Sequence, residues 1–206
     1  MIWGGSTSVG SNAIQLAVAA GYEVITTAWP KNYDYVIKLG ACQIFDFRSA
    51  GAVQDIVAAF QGKTLAGALA VGKGSAERCA DIAQACAGRK VISMASTPVS
   101  FEKLADSSGR GLRLPAILLR LVSSNVALRV RCRRRGIHTK FIYGSDLKKN
   151  ELSKIIYDDF LPQALADGSY IAAPDPYVVG QGLESVQAGL EAQLKGVSAK
   201  NVVVSL

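Results

Sequence analysis

The sequence opens with Met1-Ile-Trp-Gly-Gly-Ser-Thr-Ser-Val-Gly10, and this segment carries the clearest structural pattern in the chain. Its first three residues are apolar and predict a short strand, which the glycine pair ends. The apolar residues that follow recur at helical spacing up to Gly21: Val9, Ala13, Ile14, Ala17 and Val18. The chain therefore begins as a strand, a glycine turn and a helix.

Strands and helices continue to alternate behind this turn. Short β-branched or apolar runs predict strands at residues 23–28, 43–46, 66–71 and 90–95, and helical periodicity predicts helices at 34–39, 53–60 and 76–87. A parallel sheet covered by helices on both faces, with right-handed crossovers, is typical of this alternation. We therefore predict an α/β fold with a doubly wound parallel sheet, in a single domain over residues 1–206.

The alternation breaks after Ser100. A Leu/Arg-rich stretch up to Arg135 predicts a helical excursion over the sheet. Beyond it we predict a strand at 140–143, a helix at 152–166 that contains Pro162, a helix at 182–194 and a final strand at 201–206. The strand at 140–143 either lies at a sheet edge and pairs across a homodimer, or is covered by a further domain.

Length and composition fit one sizeable core, since the chain has 206 residues and half of them are hydrophobic. The first predicted strand starts at Met1 with no basic and apolar segment ahead of it, so we expect no secretory signal. The apolar run at 112–122 is interrupted by Arg113, Pro115 and Arg120, and it is too short to span a bilayer. We therefore expect a soluble, cytoplasmic protein that does not bind membranes.

The cysteines show no metal-binding pattern. Cys42, Cys79, Cys86 and Cys132 lack the paired C-x-x-C spacing of structural zinc sites, and His138 is the single histidine. We predict no metal site. Scattered cysteines in an intracellular chain are usually buried or half-buried thiols, and we expect the same of these four.

The segment Gly5-Ser-Thr-Ser-Val-Gly10 is placed to bind a phosphate group, because it lies between a strand and a helix. A helix N-terminus presents backbone N–H groups and a partial positive charge to an anion. Gly5 allows a tight turn, and Gly10 allows the helix to pack closely on the strand. Thr7 replaces the middle glycine of the G-x-G-x-x-G fingerprint, so the hydroxyls of residues 6–8 are further candidate donors. The alternative is a plain βα turn without a ligand.

The end of the second predicted strand indicates which dinucleotide would bind. An NAD site places an acidic residue there to bind the ribose 2′-hydroxyl, whereas this chain has Thr26, Thr27 and Ala28. NADPH is therefore favoured over NADH. Lys31 is placed to pair with a 2′-phosphate, and Arg48 is a weaker candidate for the same role. An ordinary solvated charge is the alternative for both residues.

Two further patterns allow more than one interpretation. Tyr35-Val-Ile-Lys38 matches the Y-x-x-x-K spacing of short-chain dehydrogenases, but it precedes the fourth strand, and we interpret it as a coincidence. The five arginines within residues 129–135 form either a solvated basic loop beside an anionic cofactor or a surface that contacts nucleic acid. The lack of interleaved aromatic residues favours the loop. No Ser/His/Asp arrangement is supported, so no catalytic residue is assigned.

Together these motifs resemble the cofactor-binding domain of the medium-chain dehydrogenase/reductase superfamily, in particular its alcohol dehydrogenase-like, zinc-independent fungal enoyl and quinone reductases. The resemblance covers nearly the whole chain and rests on Trp3-Gly-Gly-Ser-Thr-Ser-Val-Gly-Ser11, on Trp29-Pro-Lys-Asn32 with Leu39-Gly-Ala41, on Gly136-Ile-His-Thr-Lys-Phe-Ile-Tyr-Gly-Ser145, and on Gly182-Leu-Glu-Ser185 with Gly196-Val-Ser-Ala-Lys-Asn-Val-Val-Val204. It implies a Rossmann-type fold and hydride transfer from NADPH to an activated C=C or C=O bond.

The resemblance also implies a set of cofactor contacts. They are Gly5, Ser6, Thr7, Ser8, Val9 and Gly10 at the pyrophosphate, Thr27, Lys31 and Phe47 at the adenosine end, and Met94 and Ala95 at the nicotinamide. Two residues depart from the family pattern. Trp29 stands where the family often has serine, and Phe47 stands where it often has tyrosine, so two hydroxyl groups near the adenosine phosphate are lost.

Members of that superfamily carry an N-terminal GroES-like barrel of roughly a hundred or more residues, which forms one wall of the substrate cleft. This chain begins at the first Rossmann strand. We therefore expect the chain alone to bind NADPH with little turnover, and to bind a small-molecule substrate only with that missing domain, because hydride transfer needs the substrate held against the nicotinamide. The alternative is a non-enzymatic Rossmann module that binds RNA or a protein partner through residues 129–135.

Overall fold

The computed structural model describes residues 1–96, 110–144 and 151–206, and only the backbone of residues 110–118, 120 and 121. The chain divides into two compact units, which we describe separately. The first unit comprises Met1–Gly4 and Arg48–Tyr143, and the second unit comprises Gly5–Phe47 and Gly144–Leu206. Within the described residues, no helix is both long enough and apolar enough to cross a membrane.

Six strands form a parallel sheet in the order β3-β2-β1-β4-β5-β6. They are β1 (Ile2–Trp3), β2 (Val24–Ala28), β3 (Ala41–Asp46), β4 (Ala68–Ala70), β5 (Val91–Met94) and β6 (His138–Phe141). The chain steps outward in one direction from β1 to β3 and in the other from β4 to β6, which is the strand order of a Rossmann-type fold. The predicted doubly wound parallel sheet is confirmed.

The first unit contains β1, β4, β5 and β6 as hydrogen-bonded parallel neighbours. Its helices are α3 (Ala52–Ala59), α4 (Ser75–Ala85) and α5 (Arg110–Arg134). Aliphatic side chains fill its core, where Ile56, Ile82 and Ile92 are fully buried. The predicted helical excursion is confirmed by α5 from Arg110 onward, whereas its part at residues 101–109 lies outside the described residues.

The second unit begins with α1 (Ser8–Ala19), β2, α2 (Tyr33–Lys38) and β3. β2 and β3 pair in parallel, and their last residues, Ala28 and Asp46, lie opposite each other. Every residue of β2 is buried, including Thr26 and Thr27, whose exposed surface is nil. β-Branched side chains pack well on a pleated surface, which explains why this Val-Ile-Thr-Thr run forms an interior strand.

The rest of the second unit is helical and then β-stranded. The predicted helix at 152–166 is observed as α6 (Leu152–Lys154), a π-helical stretch (Ile155–Phe160) and α7 (Leu161–Ala166). The π-helical stretch ends two residues before Pro162, which has no N–H to donate within the helix. A further strand, β7 (Asp175–Gln181), pairs in parallel with β8 (Lys200–Ser205), and α8 (Val186–Lys195) connects them. The sequence analysis missed β7, since its first four residues are all exposed and show no alternation.

Polar side chains on α1 hold the segment at residues 170–173. The Gln15 carboxamide donates to the Ile171 carbonyl at 3.0 Å and accepts from the Ile171 N–H at 2.7 Å. The Tyr170 hydroxyl donates to Asn12 Oδ1 at 2.6 Å, and Asn12 Nδ2 donates to the carbonyl of Ala173 at 3.3 Å. Gln15 is buried, so its pair of bonds replaces water that the side chain has lost.

We expect Gln15→Ala to lower the free energy of unfolding by about 1–3 kcal/mol, because it leaves the N–H and carbonyl of Ile171 without their partner. Urea denaturation followed by circular dichroism measures the change. Gln54→Ala is the matched control, since Gln54 is exposed on α3 and this substitution should shift stability by less than about 0.5 kcal/mol. Equal stability of the two variants would contradict the role given to Gln15.

Candidate cofactor-binding site

The turn between β1 and α1 depends on two glycines with different functions. Gly4 has a φ of +88°, a left-handed conformation that a residue with a side chain rarely adopts. Gly5 donates its N–H to the Thr27 carbonyl at 2.8 Å, and a Cβ at Gly5 would collide with the Thr26 hydroxyl. The sequence analysis assigned the tight turn to Gly5. The structure corrects this, because Gly4 makes the turn and Gly5 allows the backbone to approach β2.

Thr7 is the N-cap of α1. Its hydroxyl accepts the Gly10 N–H at 3.0 Å, and its carbonyl accepts the Ser11 N–H at 2.8 Å. Ser8 and Val9 are exposed. Their backbone N–H groups lie in the first turn of α1, before Ser11, whose N–H donates to the Thr7 carbonyl. No acidic residue occupies the first turn of α1, so no carboxylate of the helix competes with an incoming anion. The exposed helix end therefore has the amides and the partial charge that bind a phosphate group.

The adenosine side of the predicted site lies at the carboxyl ends of β2 and β3. Trp29 and Phe47 directly follow the paired residues Ala28 and Asp46, and both aromatic side chains are exposed. The Lys31 ammonium lies 4.3 Å from the centre of the Trp29 ring, which is a cation–π contact. An exposed cation therefore lies just beyond the end of β2, and β2 itself does not end in an acidic residue.

The next residue ties this edge to a distant part of the second unit. Asn32 is buried, and its Nδ2 donates to Ser198 Oγ at 2.8 Å. This bond holds the turn between β2 and α2 against the loop that follows α8. The position of Lys31 is thus restrained from both sides, by the Trp29 ring before it and by Asn32 after it.

Thr27 differs from the other predicted contacts. Its side chain has no exposed surface, so it does not face a ligand in this structure. Its carbonyl accepts the Gly5 N–H and thereby holds the turn that is predicted to bind a phosphate group. Thr27 is therefore brought to the site as a support for the turn. No feature of the sequence pattern distinguished this backbone role from a side-chain contact.

The residues predicted at the nicotinamide, Met94 and Ala95, belong to the first unit. Met94 is the last residue of β5 and is buried, and the Ala95 N–H donates to the Ala70 carbonyl at 2.9 Å. Beside them, the Gly72 N–H donates to Ser96 Oγ at 2.8 Å. Their contact with a nicotinamide stays a prediction.

The arginine-rich segment is the end of a helix. Residues 129–134 form the last turns of α5, so the predicted basic loop is wrong. Arg131 and Arg135 both pair with the carboxylate of Asp81 on α4, the second at 2.8 Å. Their charges are therefore partly neutralised within the first unit. Contact of this segment with nucleic acid stays an untested prediction.

The cysteines are only partly as predicted. Cys79, Cys86 and Cys132 are buried, whereas Cys42 is exposed on β3. Burial raises the pKa of Cys79 to about 12, with a smaller opposing effect of the N-terminal ammonium group. Among the described residues, no cluster of three or more His, Cys, Asp or Glu side chains could hold a metal ion.

Comparison with known proteins identifies relatives over the whole chain, although no family model matches it. The chain is 48% identical over 206 residues to dehydrogenase pigH of Monascus ruber, and the match covers 100% of this chain and 54% of that protein. It is 33% identical over 210 residues to trans-enoyl reductase himH of Aspergillus japonicus, with 100% and 52% covered. The chain thus spans about half the length of the curated relatives it matches.

Solved structures share the fold. The CurK enoyl reductase matches with a TM-score of 0.68 at 17% identity, over 99% of this chain and 53% of that one. CurA from Vibrio vulnificus, solved in complex with NADPH, matches with a TM-score of 0.65 at 15% identity, over 99% and 55%. At such identities the likeness concerns the fold alone.

We expect iodoacetamide at pH 8 to label Cys42 in the native chain and to leave Cys79 unlabelled. The thiolate is the reactive species, and a pKa of about 12 leaves only about one Cys79 thiol in ten thousand ionised at that pH. Mass spectrometry of the native and urea-unfolded chain measures the label on each cysteine. Cys42→Ser should abolish rapid native labelling, and rapid labelling of Cys79 would show that the core of the first unit is open.

Proposed function

We propose that this chain is the cofactor-binding domain of an NADPH-dependent reductase of the medium-chain dehydrogenase/reductase superfamily. Its curated relatives include fungal dehydrogenases and trans-enoyl reductases, and the solved structures that share its fold include enoyl reductases, quinone reductases and an NAD-dependent alcohol dehydrogenase. The proposed reaction is hydride transfer to an activated C=C or C=O bond. A single observation carries the proposal: the exposed N-terminus of α1 lies directly behind a glycine turn that is bonded to β2.

The described residues fit a dinucleotide phosphate. The amides of Ser8 and Val9 stand at the positive end of a twelve-residue helix whose first turn carries no acidic side chain. Thr7 and Thr27 hold the turn through backbone and capping bonds, so the amides need little rearrangement when an anion binds. Such preorganisation lowers the entropy that binding costs.

Lys31 supports selectivity for the phosphorylated cofactor. At the end of β2 the side chains of Thr26 and Thr27 are uncharged and fully buried, so neither can accept a bond from a ribose 2′-hydroxyl in the way a carboxylate would. The exposed ammonium of Lys31 offers a charged donor to a 2′-phosphate. The Trp29 ring lies against that ammonium and so limits the positions that the ammonium can take.

Bound NADPH would supply the hydride, and this chain would supply binding and orientation. The second unit holds the residues proposed for the pyrophosphate and the adenosine. The curated relatives are about twice as long as this chain, so we assign the substrate-binding wall to the part of those proteins that this chain does not match. The chain alone is then a binder with little turnover, since an open site does not hold a substrate in reactive geometry.

We expect NADPH to bind the purified chain more tightly than NADH, and Lys31→Ala to weaken NADPH binding by about 10- to 100-fold while leaving NADH binding unchanged. The factor corresponds to the loss of one charge-assisted hydrogen bond. Nicotinamide fluorescence titration and ligand-induced thermal stabilisation measure both affinities.

Lys38→Ala is the matched control, because Lys38 is an exposed lysine at the end of α2 and should leave both affinities unchanged. Two results would overturn the proposal. One is the absence of binding by either nucleotide. The other is equal binding of both nucleotides, with no effect of Lys31→Ala, which would remove the assignment of the 2′-phosphate to this edge.

A further inference from the structure

We infer that Tyr35 is a positioning residue for the phosphate-binding turn, which it holds through the hydroxyl of Ser11. The inference rests on the cofactor site proposed above and names a residue that this site needs without touching the ligand. It also gives a role to the tyrosine of Tyr35-Val-Ile-Lys38, whose spacing the sequence analysis interpreted as a coincidence.

The contact joins two helices of the second unit. Tyr35 lies on α2 and Ser11 in the first turns of α1, and the Tyr35 hydroxyl donates to Ser11 Oγ at 2.8 Å. Ser11 has no exposed surface, so water does not compete for its hydroxyl. A buried hydroxyl with defined partners has a defined direction for its single proton.

The Ser11 hydroxyl continues the chain of bonds into the turn. Its oxygen lies 2.8 Å from the Thr7 carbonyl and 3.2 Å from the Gly5 carbonyl. Since Ser11 accepts the proton of Tyr35, its own proton can be donated only to one of these two carbonyls. The bond from Tyr35 therefore leaves the Ser11 hydroxyl to donate to the backbone of residues 5–7. This segment leads directly into the amides proposed to bind the pyrophosphate.

The surroundings of Tyr35 keep it a donor. Burial raises the pKa of Tyr35, the bond to Ser11 lowers it and the nearby Asp175 raises it, with a net increase. The hydroxyl therefore remains protonated throughout the physiological pH range. Because it points at Ser11, it is engaged in support of the turn, and the proton chemistry of a short-chain dehydrogenase tyrosine is not assigned to it.

The test compares Tyr35→Phe with the unaltered 206-residue chain for two probes. NADPH carries both a pyrophosphate and a 2′-phosphate, whereas adenosine 2′-monophosphate has no pyrophosphate and engages only the edge around Lys31. We expect Tyr35→Phe to weaken NADPH binding about five- to tenfold and to leave adenosine 2′-monophosphate binding unchanged, because one neutral hydrogen bond behind the turn is lost.

Two further variants complete the test. Tyr22→Phe removes an exposed tyrosine hydroxyl just after α1 and should change neither affinity. Ser11→Ala should weaken NADPH binding, and adding Tyr35→Phe to it should cause no further loss, since both residues act through one path. An additive double variant would overturn the inference.

The remaining outcomes separate this inference from the proposed function. If Tyr35→Phe leaves NADPH binding unchanged, the inference is overturned and the proposed function stands. An equal loss of affinity for both probes also overturns the inference alone, because it would mean a general loosening of the second unit. If the unaltered chain binds neither probe, the proposed function fails and the inference fails with it.

Discussion

The close approach of Gly5 to β2 is the constraint on which the candidate site depends. The Gly5 N–H reaches the Thr27 carbonyl, and the space that a side chain would need is occupied by the Thr26 hydroxyl. The contact with β2 fixes the direction in which the backbone leaves β1, and α1 begins three residues after Gly5 with Thr7 as its cap. A helix end that binds an anion must be held still as well as exposed, and this contact holds it.

Within the second unit, polar side chains of α1 form hydrogen bonds with partly buried groups that would otherwise lack a partner. On one side Gln15 and Asn12 bond the segment at residues 170–173, and on the other Ser11 receives the hydroxyl of Tyr35. Removing one partner of such a partly buried hydrogen bond is destabilising, because the other partner is left without the water that it lost on folding. These bonds restrain the start of α1 from two sides.

The adenosine edge shows how two departures from the family pattern combine. Trp29 and Phe47 remove hydroxyl groups, but both rings remain exposed, each directly after the last residue of its strand, β2 or β3. Trp29 also contacts the Lys31 ammonium. Lys31, in contact with the Trp29 ring, is therefore the cation proposed to provide selectivity at this edge.

The sequence by itself determined the fold class, the strand–turn–helix opening, and the candidate phosphate turn, because apolar periodicity and glycine placement are local properties that neighbouring residues express directly. Tertiary structure alone decided which glycine makes the turn, that Thr27 supports it through its carbonyl, and that Tyr35 reaches Ser11. It also decided that Arg131 and Arg135 pair with Asp81 and that β7 pairs with β8. These outcomes depend on hydrogen bonds and packing between segments far apart in the chain, and no local pattern encodes where such segments meet.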